Sequence, residues 1–319
     1  GVQDSASQFV QLTFMFTLGT ASRENPDASH EDSACTHHDC RAKRQRSASI
    51  PALIGAILLS LTVVAAEARA TEQESKTELA QKTENPISDL IRIPFTNNTN
   101  FGIEPNHRTN YELKIQPVIP FRLTRDWDLI TRTLLPVIKQ PTPSTTNADT
   151  WGLGASQFSA FLTPARSSTV FLGAGPIFQL PSTTDDVLGS RKWGAGPTAS
   201  VFIIEGPWTL GLLVNNVWSF AGSHDRPNVS QFLAQQFLNY NFDHGWYLTS
   251  SPIVTSNWEG TSGNKWTVPL GGGAGKVFEI GNLSFNATLQ AFSNVVHPDP
   301  GPDWTLRFQI ALLLPRSPD

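Results

Sequence analysis

Residues 304–314 read Trp-Thr-Leu-Arg-Phe-Gln-Ile-Ala-Leu-Leu-Leu. Taken by twos, Trp304, Leu306, Phe308, Ile310, Leu312 and Leu314 fall on one face, and Thr305, Arg307, Gln309, Ala311 and Leu313 on the other. That is the period of a β-strand with one oily side. The run is also long: a tilted strand needs about 9–11 residues to cross a hydrocarbon layer, whereas strands of soluble sheets average about 5–6. The same split recurs upstream, with Trp208, Leu210, Leu212 and Val214 set against Thr209, Gly211, Asn215 and Ser219. Leu283, Phe285, Ala287 and Leu289 are likewise set against Ser284, Asn286, Thr288 and Gln290.

With these three, twelve alternating segments run near 88–96, 110–122, 127–139, 150–163, 169–180, 193–204, 208–221, 229–242, 246–258, 265–278, 283–296 and 304–314. Their connections alternate in size. Long ones fall at 97–109, 140–149, 181–192, 222–228, 259–264 and 297–303, and short ones at 124–126, 164–168, 205–207, 243–245 and 279–282. An even count of long strands, with short turns at one end and longer loops at the other, predicts an all-β fold. It is an up-and-down antiparallel transmembrane β-barrel of about 12 strands with both termini on the periplasmic side. Tryptophan placement agrees, because Trp127, Trp151, Trp193, Trp208, Trp246, Trp266 and Trp304 each stand at the start of a segment and Trp218 and Trp258 near ends. An indole prefers the depth where hydrocarbon meets headgroup, so these residues are expected to form two aromatic girdles rather than a soluble core. An open sheet edge in hydrocarbon would leave backbone groups without partners at several kcal/mol each, so segment one is predicted to pair with segment twelve.

Applied to the first and last strands, the same parity points Arg92, Lys114, Arg132 and Arg307 inward, with Glu112 beside them. A charge facing lipid at mid-depth costs about 2–4 kcal/mol, so the inward orientation is favoured whatever its use. Closure would gather the four cations on one wall. Two readings stand side by side: a selectivity wall that attracts anionic or polar solutes, or internal salt bridges with Glu112, Asp185, Asp186, Asp299 and Asp303. The pairs Gly173/Gly175 and Gly194/Gly196 either leave room inside the barrel or mark kinks that curve the sheet.

The N-terminal third has another character. The apolar run Ala52–Ala66 follows the basic residues Arg41, Lys43, Arg44 and Arg46 and precedes Ala68-Arg69-Ala70, the order of a secretory signal peptide cleaved after Ala70. The expected division is therefore a non-native or disordered extension over 1–40, a Sec signal peptide over 41–70, a polar linker or short helix over 71–87, and the barrel over 88–315. Both cysteines, Cys35 and Cys40, precede the expected cleavage point, so the exported part carries no thiol chemistry. A net charge of −4 excludes a general nucleic-acid binder, which would show a basic surplus.

Catalytic and metal-binding patterns are weak. Cys35-x-His37-His38-x-Cys40 crowds its ligands into six residues, where metal sites split them into separated pairs. Gly271-Gly272-Gly273-Ala274-Gly275-Lys276 resembles a phosphate loop but has Val277 where Ser or Thr would hold magnesium. His107, His224, His244 and His297 all fall in loops or turns, so a hydrolase built on His224 with Ser223 and Asp225, or on His297 with Asp299, is a remote alternative. The sequence asks for no cofactor and no metal, and no enzyme is expected.

Several blocks also look familiar: Asn85-Pro86-Ile87-Ser88-Asp89-Leu90-Ile91, Gln116-Pro117-Val118-Ile119-Pro120, Asn215-Asn216-Val217-Trp218-Ser219-Phe220-Ala221-Gly222, Gly245-Trp246-Tyr247-Leu248-Thr249-Ser250-Ser251-Pro252 and Trp266-Thr267-Val268-Pro269-Leu270-Gly271-Gly272-Gly273. Over about residues 85–315 the chain resembles a family of Gram-negative outer-membrane proteins often labelled transporter or neuromedin U. It is similar to the barrel superfamily named for a phenol-degradation-pathway protein. The resemblance implies a porin-like barrel in the outer membrane and solute passage, with no binding residues to carry over. The expectation is thus a channel or transporter passing small polar or anionic solutes by passive passage through a polar lumen, with Arg92, Lys114, Arg132, Arg307 and Glu112 on the path. Its partners would be outer-membrane lipid, those solutes and, during biogenesis, the barrel-assembly machinery, and not nucleic acid. The rival is a closed structural or adhesive barrel that binds a partner through the loops at 181–192 and 97–109.

Overall fold

The computed structural model describes Leu79, Gln81 and residues 90–314 apart from 105, 142–148, 166–168 and 300. The expected extension, the signal peptide, the Cys35–Cys40 cluster and, beyond Leu79 and Gln81, the linker lie outside the described residues. From Ile91 onward the chain forms twelve long strands: β1 Ile91–Ile103, β2 Arg108–Ile115 with Val118–Arg122, β3 Trp127–Pro141, β4 Asp149–Leu153 with Ser156–Pro164, β5 Val170–Leu180 and β6 Lys192–Glu205. They continue as β7 Trp208–Gly222, β8 Ser230–Asn241, β9 Trp246–Ser250 with Ile253–Asn257, β10 Trp266–Ile280, β11 Leu283–Val296 and β12 Trp304–Leu314. Each pairs antiparallel with its neighbours in sequence, and β12 returns to β1 from Phe101↔Trp304 to Ile91↔Leu314. The sheet closes as predicted, so no edge is left in hydrocarbon.

Three strands are interrupted, at Gln116-Pro117, Gly154-Ala155 and Ser251-Pro252. Proline supplies no N–H to a ladder, which accounts for two of the breaks. At the third, pairing moves from Val137↔Leu153 to Leu134↔Gln157, so β4 carries one residue more than β3 over the same stretch, a bulge. Gly175 and Gly196 mark close backbone approaches rather than empty room. A Cβ at Gly196 would stand 1.6 Å from the Asn216 carbonyl oxygen, and one at Gly175 would stand 1.9 Å from that of Ala160.

The first strand differs from its expectation. The segment at 88–96 with a loop at 97–109 becomes a strand over Ile91–Ile103, with only residues 104–107 connecting it to β2. Asn97-Asn98-Thr99-Asn100 has the composition of a loop, yet its side chains find partners inside a sheet. Asn98 and Asn100 face inward, where Asn100 donates to Asn110 at 2.9 Å and accepts from Thr305 at 2.7 Å. On the outer face Asn97 donates to Thr99 at 3.0 Å.

Outside, the barrel is apolar and aromatic. All nine tryptophans are 39–65% exposed, as are Leu162, Leu210 and Leu248 near the turn end and Leu135, Leu289 and Phe308 at mid-strand. A water-soluble sandwich would bury these residues, whereas a lipid-facing wall presents them. Trp127, Trp208 and Trp246 ring the end bearing the short turns, called here the turn end; the other six ring the opposite, loop end.

Inside, the expectation of a wholly polar lumen holds only for the middle and the loop end. At the turn end Val118, Ile130, Phe161, Phe202, Leu213 and Phe237 form a buried apolar cluster, with Phe171 and Leu233 packed on it. A second cluster joins Leu90, Tyr247, Val277, Ala311 and Leu313, with Leu79 against it. Inward-facing rings at this end contact one another instead of water, at a gain of about 1.5–3 kcal/mol per large side chain buried. Within the second cluster the Tyr247 hydroxyl donates to Asn286 at 2.7 Å and lies 2.9 Å from Thr288 Oγ1. At the loop end the connection 181–191 folds onto the inner side of β4. Ser182 Oγ donates to the Gly154 carbonyl at 2.8 Å, Thr184 Oγ1 accepts from Leu153 N at 3.0 Å, and Leu188 is buried against Gly152. Arg226, from the next loop, donates to the carbonyls of Asp186 and Gly189 and ties the two loops together.

Candidate functional site

Between the apolar clusters and the inward-folded loop lies a cavity of about 110 Å³. Strand register explains its walls. Arg92 and Arg132 both pair with Val118, so three inward residues of β1, β2 and β3 form one cross-strand row with a guanidinium at each end. Two steps toward the loop end, past the Pro94–Ala311 pair, Gln309, Thr96 and Lys114 form another row. Beyond it Gln290, Arg307, Asn98 and Glu112 form a third. Arg92, Lys114, Arg132 and Arg307 all line the cavity, and among its described lining residues there is no carboxylate.

These side chains are held by one another. Glu112 sits behind Lys114, with Lys114 Nζ at 2.9 Å, and accepts from Asn98 Nδ2 at 3.2 Å. Arg307 Nε donates to Asn98 Oδ1 at 3.0 Å, its Nη1 donates to the Ser251 carbonyl at 2.8 Å, and its guanidinium lies 4.8 Å from the Phe292 ring centre. Gln290 Oε1 accepts from the Ser251 hydroxyl at 3.0 Å and from its N–H at 3.1 Å. Thr96 donates to Gln309 at 2.8 Å. With its amide oxygen turned toward the guanidinium, Gln116 accepts from Arg132. A belt of charge-assisted hydrogen bonds therefore runs from β9 through β11, β12 and β1 to β2, fixing its cations in place. The loop carboxylates expected as salt-bridge partners go elsewhere: Asp186 pairs with Arg191 at 3.2 Å, Asp299 accepts from Asn264 at 3.0 Å, and Asp303 faces His297 at 3.6 Å.

The opposite wall is unlike the first. In a ring of twelve, β7 and β8 stand half-way round from β1 and β2. They contribute Leu213, Leu233 and Phe237 together with the neutral amides Asn215 and Gln235. This apolar wall is the part that the parity reading overlooked. Its signal is a run of apolar doublets near the turn end, Val118-Ile119, Leu129-Ile130, Phe161-Leu162, Phe202-Ile203, Leu212-Leu213 and Phe237-Leu238, each giving one residue to lipid and one to the interior.

The residues considered for hydrolysis are not brought together. His297 Nδ1 lies 2.9 Å from the Pro298 carbonyl oxygen, and among the described residues no hydroxyl hydrogen-bonds a histidine ring.

No family model and no curated protein matches the chain. Among solved structures it is similar to the COG4313 outer membrane channel from Pseudomonas putida F1, at 16% identity and a TM-score of 0.55 over 70% of this chain and 94% of that one. The chain is a twelve-stranded β-barrel of the outer-membrane type. A NanC porin matches at 8% identity and a TM-score of 0.44 over 70% of this chain and 98% of that one. An outer membrane phospholipase A from Escherichia coli matches at 12% identity and a TM-score of 0.36, over 71% and 92% of the two chains. At these identities the likeness is one of fold.

Proposed function

We propose that this barrel resides in the outer membrane and passes small polar or anionic solutes through its lumen without acting on them chemically. Sec export and insertion by the barrel-assembly machinery belong to the same reading. The observation that carries it is the gathering of Arg92, Lys114, Arg132 and Arg307 around one interior cavity whose described lining holds no carboxylate. Fixed cations in a narrow lumen raise the local concentration of anions, as charged rings do in pores. A second reading, a closed structural barrel, draws on the apolar cluster that spans the interior from β2 to β8. Under the passage reading that cluster is the constriction that limits the path.

The test is the reversal potential of the reconstituted protein in planar bilayers under a KCl gradient, for wild type and for a variant with all four cations changed to Gln. Passage with a selectivity wall predicts chloride preference that the variant loses while still conducting. Unchanged selectivity removes the wall. Zero conductance from a folded, heat-modifiable wild-type barrel favours the closed reading.

A further inference from the structure

The cavity has two chemically different sides, and passage of anions in general does not require the second. Arg92, Lys114 and Arg132 stand on β1–β3, while Leu213, Leu233 and Phe237 face them from β7 and β8. An inorganic anion would satisfy the cations and leave Leu233 and the exposed edge of the Phe237 ring against water. A neutral hydrocarbon would cover the apolar wall but strip water from the cations without replacing it, which is costly. A ligand with a carboxylate at one end and a short hydrocarbon at the other satisfies both sides. Its head accepts charge-assisted hydrogen bonds from the guanidinium and ammonium groups, and each of its buried methylenes gains about fourfold in affinity.

Size narrows the class further. A cavity of about 150 Å³ accommodates benzene, so the roughly 110 Å³ here suits a molecule of at most about six heavy atoms. We infer that the cavity is a binding site for short-chain aliphatic carboxylates, with the head on the Arg92–Lys114–Arg132 side and the chain on Leu213, Leu233 and Phe237. The inference rests on the passage reading for its biological sense, since it names the solute class, but binding is measured separately from conduction.

The experiment is titration calorimetry on the barrel in lipid nanodiscs with butyrate, acetate and n-butanol, beside bilayer recordings on the same preparation. Butyrate is expected to bind about fifteenfold more tightly than acetate, for its two further methylenes, and at least tenfold more tightly than n-butanol. Arg132→Gln should weaken butyrate at least tenfold, and Leu233→Asn, at the rim of the apolar cluster, should bring butyrate down to the affinity of acetate. Heat-modifiable migration confirms that each variant is folded. Equal affinity for acetate and butyrate overturns the inference by removing the apolar wall, and equal affinity for butanol and butyrate overturns it by removing the cations. Anion-selective conduction with no butyrate binding overturns it and leaves passage standing. Butyrate binding in a barrel that never conducts supports it and overturns passage.

Discussion

Replacing Phe202 and Phe237 together by alanine is expected to open the turn end of the lumen without touching the cations. The two rings, 0% and 8% exposed, meet at a centroid distance of 5.0 Å. Gly211 on the intervening strand makes their position possible, because a Cβ there would stand 2.2 Å from a ring carbon of Phe202. In a dry protein core each truncation costs about 3–5 kcal/mol, part of it for the void left behind. Here the void adjoins a polar cavity and fills with water, so the void contribution falls away. What remains is the transfer part, about 1.5–3 kcal/mol per ring and about 3–6 kcal/mol for the pair. A hydrophobic constriction blocks ions by excluding water, and its removal should raise single-channel conductance severalfold while the sign of the ion preference stays that of wild type. Urea unfolding in lipid vesicles, followed by tryptophan fluorescence, reads the first quantity, and planar-bilayer recordings read the second. A folded double variant with wild-type conductance would refute the reasoning, since the cluster would then lie off the conducting path.

Gly196→Ala must separate β6 from β7, because the added carbon would stand 1.6 Å from a carbonyl oxygen; it should cost about 1–3 kcal/mol. Gly206→Ala meets nothing within 4 Å and bears only the strain of φ +54°, so its urea midpoint should fall less. Tyr247→Phe removes a buried hydroxyl bonded to Asn286 and Thr288 and should lower unfolding stability by about 1–3 kcal/mol, read in the same vesicle assay. Arg226→Ala frees the carbonyls of Asp186 and Gly189; limited proteolysis should cut the 181–191 loop faster than in wild type, with the barrel itself intact.

How far sequence reasoning reaches is set by which constraint acts within one strand and which acts between strands. Alternation in Trp304–Leu314 is local, because every second side chain must face lipid, and it gives both the strand and the inward direction of Arg307. The same rule placed Arg92, Lys114 and Arg132 on the inner face, and closure brought them to one cavity. Asn97–Asn100 misled because composition reports solvent preference, while the partners that satisfy Asn98 and Asn100 come from other strands, the neighbouring β2 and β12 at the far end of the sequence. The apolar cluster was hidden for a related reason. Phe161, Phe202 and Phe237 each break polar parity once, and only the closed ring shows that these single exceptions meet. The glycine pairs stayed ambiguous because a close backbone approach is a property of two strands at once.

The barrel requires a lipid-facing and an interior face alternating residue by residue along each strand, and a nitroxide scan of β12 tests this most directly. With Cys35 and Cys40 replaced by serine, single cysteines at positions 305–312 would carry the label in protein reconstituted into bilayers, and collision with dissolved oxygen and with a water-soluble nickel complex would be measured at each. The structure predicts oxygen maxima at 306, 308, 310 and 312 and relief from oxygen at 305, 307, 309 and 311, a period of two across the whole span. Equal accessibility on both faces, or a period near 3.6, would contradict it.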